Sequence, residues 1–134
     1  MLATKTQLEE LGHEVKMPPL EITDENGNSM PVKQYWNLRK KTETTDGWIW
    51  DAKEKAMRLH FDKIVWGDAV LILNHEKNNT PHYIGANTLM EIGLAFHLQK
   101  PVFLLNPIPE LSYCKEEVIG VKPVILHGDI SLIK

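Results

Sequence analysis

The C-terminal half of the chain alternates short aliphatic runs with segments of helical periodicity. The runs Ala69–Asn74, Val102–Asn106 and Pro123–His127 are apolar at consecutive positions, which is typical of strands buried in a parallel sheet. Two predicted helices, Thr88–Gln99 and Ser112–Ile119, separate these runs. This alternation predicts an α/β fold: a doubly wound, flavodoxin- or Rossmann-like parallel sheet with helices on both faces.

The N-terminal half is less regular. We predict a short helix over Lys5–Leu11, a strand over His13–Met17 and a longer helix over Asp51–Val65. Residues 20–50 carry turn signals, and we expect a helical turn near Val32–Lys40 and a functional or interface purpose, because long structureless loops are uncommon in compact domains. The first helix of a doubly wound fold normally follows a strand. Either the chain begins late and that N-terminal strand is absent, or the architecture departs from the usual one.

Composition excludes several classes of protein. The length of 134 residues fits one domain over residues 1–134, and 43% hydrophobic with 25% charged residues is ordinary for a globular chain. A net charge of −3 argues against a basic nucleic-acid binder. No apolar run approaches the roughly 18 residues of a membrane helix. We therefore expect a cytoplasmic protein that binds neither nucleic-acid polymers nor membranes.

Neither a metal site nor a cofactor is expected. The six histidines include no pair at zinc-helix spacing, and Cys114 has no second thiol with which to bind a metal or form a disulfide. His75 and His82 flank the presumed pocket, where either could act as a general acid. The aromatic residues of the irregular segment could stack a nucleobase, pack that segment down or form a subunit contact; they are Tyr35, Trp36, Trp48 and Trp50.

The strongest site candidate lies where the strand Ala69–Asn74 gives way to the next helix. Ligands of open α/β sheets bind beyond the carboxyl ends of the strands. We place Glu91 in the first turn of that helix, where the helix dipole stabilises a carboxylate. Such a carboxylate suits attack on an anomeric carbon. The alternative is structural, because Thr88 and Glu91 have the spacing of a capping box.

The segment around Glu91 resembles a known family motif. Gly85-Ala86-Asn87-Thr88-Leu89-Met90-Glu91-Ile92-Gly93-Leu94-Ala95 is similar to the pattern Asp-x-Gly-Thr-x-x-Glu-x-Gly-x-Ala of the nucleoside 2-deoxyribosyltransferase family. The flanking strands and the segment Leu11–Val15 also resemble that family. The chain departs from the pattern at Gly85 and Asn87, and has Asn74 where the family usually has an acid. Its start resembles the middle of the family's first helix.

The resemblance implies cleavage of the N-glycosidic bond of a deoxynucleoside or its monophosphate. Glu91 would be the nucleophile that holds the deoxyribosyl group, which then passes to water or to a second base. The implied substrate-binding residues are Asn74, Tyr83, Gly85, Asn87 and Thr88. The resemblance also implies a homo-oligomer, for which the aromatic-rich segment could supply an interface.

Two alternatives to the enzyme remain open: a binding or regulatory module on the same fold, and a chain fragment. Fold does not determine function, and the replaced acids favour a non-catalytic nucleotide-binding or regulatory module. An asparagine can hydrogen-bond a base but cannot act as a general acid. The third possibility is a chain fragment that is stable only through assembly. We favour the enzyme.

Overall fold

The computed structural model describes residues 1–44 and 47–133. The chain divides into two compact units, one made of Met1–Val15 with the chain from Lys63 onward and the other of Lys16–Asp62. The elements in chain order are α1 (Leu2–Glu10), β1 (Glu21–Thr23), β2 (Ser29–Pro31), α2 (Val32–Lys41), α3 (Trp48–Trp66), β3 (Val70–Ile72), α4 (Ala86–His97), β4 (Val102–Leu104), α5 (Lys115–Gly120), β5 (Val124–Ile125) and a 3₁₀ helix (Ile130–Leu132).

The first unit is built on a parallel sheet with strand order β3-β4-β5. Val70 lies opposite Val102, and Leu104 lies opposite Ile125. Helices α4 and α5 make the two crossovers between the parallel strands, and α4 contacts both β3 and β4. The mixed α/β class with a parallel sheet and flanking helices is therefore confirmed. The buried core includes Ile72, Ile92, Ala95, Val102, Leu104, Val118 and Leu126.

A compact corner joins α4 to β4. The Gln99 amide donates to Phe96 O and the Lys100 amide donates to Ala95 O, which is the Schellman pattern of a helix end. Gln99 has φ of 58°, a left-handed conformation that disfavours residues with a Cβ. The Lys100 ammonium donates to Ile64 O at 2.9 Å and also to Val65 O. It thereby satisfies two carbonyls at the C-terminal end of α3 and ties that end to the start of β4.

The second unit contains an antiparallel β1–β2 hairpin followed by α2. Asp24 Oδ1 accepts hydrogen bonds from the amides of Asn26 and Asn28, both at 2.9 Å, and so holds the hairpin turn. Turn residues are evident in the sequence here, but the two flanking strands are not among the predicted elements. They are three residues each, too short to show the period-two alternation on which strand prediction depends.

The aromatic residues of this unit have mainly packing roles. Tyr35 is buried and its hydroxyl donates to Ile49 O, and burial raises its pKa, an effect that the nearby Arg39 partly offsets. Trp48 packs at a tilt against the Tyr35 ring, with centroids 6.2 Å apart. The indole of Trp50 donates to Thr44 O at 2.7 Å. Of the alternatives for this cluster, the structure supports packing for these three residues and leaves Trp36 exposed.

Most predicted elements are present, with shifted ends. The predicted turn near Val32–Lys40 is confirmed as α2, and the predicted helix over Asp51–Val65 is confirmed as the longer α3. The predicted strand over His13–Met17 is wrong, because these residues belong to no ladder. They do alternate between half-buried and exposed side chains, which explains why the sequence resembles a strand. Among the described residues, no helix is both long and apolar enough to cross a membrane.

Replacing Gln99 by glycine should stabilise the protein. Glycine adopts φ of about +60° without steric cost, but it loses more conformational entropy on folding than glutamine does. The difference between the two effects should raise the free energy of unfolding by about 0.5–1 kcal/mol. Urea denaturation measures this gain. Gln99→Ala is the matched control and should give no gain, since alanine keeps the Cβ. A Gly variant no more stable than the Ala variant would contradict this account of the corner.

Candidate functional site

The chain between β3 and α4 forms a structured hairpin loop. The amide of Lys77 donates to Thr80 O at 3.0 Å and the amide of Thr80 donates to Lys77 O at 2.9 Å. The two residues between them, Asn78 and Asn79, have φ of 50° and 65°, as a two-residue hairpin turn of this kind requires. The amide of Tyr83 donates to the carbonyl of His75 at 3.0 Å and closes the base of the loop. Backbone bonds therefore fix the position from which Tyr83 leaves the loop.

Two asparagines join the carboxyl ends of β3 and β4. Asn74 Oδ1 accepts from the Asn106 amide at 2.9 Å, and Asn74 Nδ2 donates to the carbonyls of Asn106 and Pro107, each at 3.0 Å. Asn106 Nδ2 returns a bond to Asn74 O at 3.1 Å. Asn74 is fully buried, so these bonds satisfy a side chain that water does not reach. The loops that follow the two strands are thereby fixed to each other.

This arrangement changes the role expected of Asn74. Both hydrogens of its amide nitrogen and one lone pair of its oxygen are already used by the backbone of the second loop. The side chain therefore positions the strand ends in this structure. A direct hydrogen bond from Asn74 to a nucleobase stays a prediction, and it would require these backbone bonds to be exchanged.

Tyr83 and Gly85 lie against each other at the entrance to α4. A Cβ on Gly85 would stand 3.4 Å from Cε1 of Tyr83 and 3.7 Å from its hydroxyl oxygen, so the ring covers the space that a larger side chain at position 85 would occupy. Gly85 has φ of −83°, a conformation open to any residue. A Cβ at position 85 would meet the ring at ordinary van der Waals distance, so an alanine could also be accommodated there. On another side, the Lys77 ammonium lies 5.2 Å from the centroid of the Tyr83 ring.

Tyr113 connects the loop after β4 to this entrance. Its hydroxyl donates to the carbonyl of Ile84, a buried residue. The pKa of the Tyr113 phenol is raised by desolvation, and further by its interaction with the Tyr83 phenol. About half of the Tyr113 side chain is exposed, so we attribute the desolvation to the hydroxyl end and not to the whole ring. Two phenols thus lie close together where the loop enters α4.

The register of α4 differs from the predicted one. The helix begins at Ala86 with Gly85 as its N-cap, and no side chain caps it. The Leu89 amide already donates to Gly85 O at 2.9 Å. Thr88 is therefore the third helical residue and Glu91 the sixth. A capping box needs the threonine at the N-cap itself, so that alternative for Thr88 and Glu91 is wrong, and so is the placement of Glu91 in the first turn.

Three predicted site residues share one side of α4. Asn87 and Glu91 are four residues apart and Thr88 and Glu91 three, so their side chains neighbour one another on the helix surface. Asn87 is exposed, whereas Thr88 and Glu91 are half-buried. Ile92, next to Glu91, is buried in the core. Glu91 thus lies at the edge of the buried stripe, and the residue as a whole is partly shielded from water.

The other titratable groups near the loop differ in their suitability for catalysis. Burial raises the pKa of the Cys114 thiol, which keeps it protonated and unreactive. His75 is exposed and His82 half-buried, and either remains a candidate proton donor. Within residues 1–44 and 47–133, no group of three His, Cys, Asp or Glu side chains is placed to hold a metal ion.

Sequence reasoning misses two residues of this region. Asn106 follows a predicted strand, in a segment that edges the pocket, but its pairing with Asn74 is not among the predictions. Two asparagines, each two residues beyond the end of one of two adjacent strands, are the available signal. Tyr113 carries no such signal, because a lone tyrosine before a short helix is common and its target, Ile84 O, is 29 residues away.

Comparison of the chain with protein-family models, curated proteins and solved structures finds no match. The fold and the site therefore define a class only by their own features: an α/β protein with a three-stranded parallel sheet and a polar, aromatic-lined region beyond the ends of β3 and β4.

Replacing Asn74 by aspartate should destabilise the protein at neutral pH. The carboxylate would be buried and would face the carbonyl oxygens of Asn106 and Pro107 in place of an amide donor, which we expect to cost at least about 2 kcal/mol in the free energy of unfolding. Asn87→Asp is the matched control. It lies exposed in the first turn of α4, where a negative charge is neutral or stabilising. Equal stability of the two variants in urea would contradict the structural role of Asn74.

Proposed function

We propose that this protein cleaves the N-glycosidic bond of a deoxynucleoside or deoxynucleoside monophosphate, with Glu91 as the nucleophile and a doubly wound sheet as the scaffold. The observation that carries the proposal is the register of α4. Because Gly85 is the N-cap, Glu91 has no part in a capping box and lies half-buried in the second turn. The helix follows the carboxyl end of β3, the usual place of ligands in open α/β sheets.

In the proposed reaction, the Glu91 carboxylate attacks the anomeric carbon of the sugar. The bond from that carbon to the base nitrogen breaks, and its electron pair leaves with the base, which takes up a proton. His75 or His82 in the loop would supply that proton. A negative carboxylate stabilises the oxocarbenium-like transition state. Attack by water or by a second base on the same carbon then releases Glu91.

The surrounding side chains provide contacts for the substrate. Asn87 and Thr88 would hydrogen-bond the sugar beside Glu91, since all three share one side of α4. The Tyr83 ring lies against Gly85 and offers an aromatic surface to a base. Asn74 supports the site by holding the two loops in place. The proposed reaction uses neither a cofactor nor a metal.

The alternative is a nucleotide-binding module without catalysis. The observation that favours it is the state of Asn74, whose side chain is neither acidic nor available while it holds the second loop. A leaving base would then depend entirely on other groups for its proton. Binding without turnover is the expected behaviour if those groups do not reach it.

Glu91→Gln should abolish base release. Purified protein is incubated with a panel of deoxynucleosides and their monophosphates, with a second free base in half of the reactions, and released base is quantified by chromatography. Loss of a nucleophile should reduce the rate at least about a thousandfold. Glu116→Gln is the control, because Glu116 is an exposed acid in the first turn of α5. A new nucleoside in the supplemented half identifies transfer; release without one identifies hydrolysis.

Release unchanged in Glu91→Gln would contradict the assigned nucleophile. If neither the wild-type protein nor Glu91→Gln releases base, but calorimetry shows that both bind nucleotide, the protein is the binding module. Circular dichroism of each variant confirms that the fold is kept.

Tyr83→Ala should weaken substrate binding about tenfold, as loss of one base–aromatic contact does. The effect should appear in KM, or in Kd for a module without turnover. Trp36→Ala is the control: it removes an exposed aromatic residue of the other unit and should leave both constants unchanged. If Trp36→Ala raised KM or Kd and Tyr83→Ala did not, the base would bind at the aromatic-rich segment instead.

A further inference from the structure

One exposed side of α2 combines an indole with positive charge. Lys33, Trp36 and Lys40 are all exposed and follow one another at intervals of three and four residues, so the three side chains are neighbours along the helix surface. Trp36 is 44% exposed, whereas the adjacent Tyr35 is the residue of α2 that is buried. The core of this unit therefore does not use the indole. We call these three residues the basic–aromatic stripe; none of them belongs to the site described above.

The charge around the stripe is of one sign. Residues 26–42 contain Lys33, Arg39, Lys40 and Lys41 and no acid, although the whole chain carries a net charge of −3. Arg39 is directed to the Tyr35 ring, with 5.2 Å between its guanidinium carbon and the ring centroid. The three lysines are exposed, and none of them forms an ion pair within residues 1–44 and 47–133. Their charges therefore lack a counter-charge from the chain itself and suit an acidic partner.

The spacing of the stripe matches that of a second helix. Lys33 and Lys40 are separated by two helical turns, about 10.5 Å along the axis, with Trp36 between them. A helix that lies alongside another presents the same face about every seven residues. Two glutamates at that interval on the second helix would face the two lysines, and an apolar residue between them would cover the indole. A tryptophan surrounded by polar contacts is a common form of binding hot spot.

Other anionic partners match the stripe less well. Proteins that bind single-stranded nucleic acid stack successive bases on several aromatic side chains along a basic groove. A helix that lies on a lipid surface needs a broad apolar face. Within α2, Trp36 is the only large hydrophobic residue that is exposed. One indole between two lysines is sufficient for an acidic helix with a single apolar contact, and is too little for either of the other partners.

We propose that the basic–aromatic stripe docks an acidic amphipathic helix of a partner protein, with Trp36 as the apolar anchor and Lys33 and Lys40 as its charged rim. Helix α2 has ten residues and is about 15 Å long, so the contact is smaller than that of a stable complex and the association is transient. The dissociation constant is micromolar or weaker. Because the lysines are exposed, added salt screens their charges and weakens binding.

Fluorescence anisotropy with a labelled model peptide tests the surface. The probe is a stapled helical peptide of about 14 residues that carries glutamates at heptad spacing with leucines between them. We expect saturable binding that Trp36→Ala weakens at least about tenfold, because it removes the anchor. Trp66→Ala is the matched control: Trp66 is 43% exposed and lies on α3, so its loss should leave binding unchanged. No binding of the acidic peptide, or binding that Trp36→Ala does not weaken, would overturn the proposal.

Charge exchange tests the role of the two lysines. The double variant Lys33→Glu/Lys40→Glu should bind the acidic peptide about tenfold more weakly, since two exposed ion pairs become repulsive contacts. It should also gain affinity for a second peptide in which lysine replaces each glutamate. Lys55→Glu, at an exposed position of α3, is the control for the change in net charge. Loss of the acidic peptide without gain of the basic one would contradict the pairing.

Two further probes test the other polyanions under the same conditions. They are a labelled oligothymidylate of about 20 nucleotides and vesicles of phosphatidylserine with phosphatidylcholine. We expect both to bind more weakly than the acidic peptide. Tighter binding of either probe that depends on Trp36 would overturn the acidic helix as the occupant of the stripe. Circular dichroism of each variant confirms that the fold is kept.

Discussion

The reciprocal bonding of Asn74 and Asn106 is the interaction on which the rest of the site depends. Strands β3 and β4 are each three residues long, so ladder hydrogen bonds alone define little of what lies beyond their ends. The two side chains extend the connection past the sheet and satisfy each other's loop backbone in a buried setting. Without them, the amide of Asn106 and the carbonyls of Asn74, Asn106 and Pro107 would lose these partners.

The two loops that this pair holds carry the candidate chemistry. One of them delivers Tyr83 and the N-cap Gly85 to α4, and the other returns Tyr113 to the carbonyl of Ile84. Glu91 follows at a fixed distance along the helix from that N-cap. The environment of the carboxylate thus results from a series of backbone and amide contacts that starts at the ends of β3 and β4. Substitutions far along the chain from Glu91, at Asn106 or Tyr113, act on the same region.

The sequence predicts the elements whose signal is local and long. Helix α3 has apolar residues at helical spacing within its nineteen residues, and β4 is apolar at successive positions, so both are predicted correctly. The segment His13–Met17 has the alternation of a strand but no ladder partner, and pairing is not a local property. The predicted start of α4 is two residues late because Thr88 is a good N-cap residue by type, whereas the extended backbone at Gly85 begins the helix earlier.

The residues by themselves determined the α/β class and the two crossover helices, because hydrophobic periodicity and turn residues act over a few positions. The tertiary structure decided three other matters. It commits Asn74 to Asn106, packs Tyr83 against Gly85 and brings Tyr113 to Ile84. The Asn74–Asn106 and Tyr113–Ile84 contacts join groups that are distant in sequence. The Tyr83–Gly85 contact depends on the residue at which α4 begins. All three exist only once the strands are paired and the loops are closed.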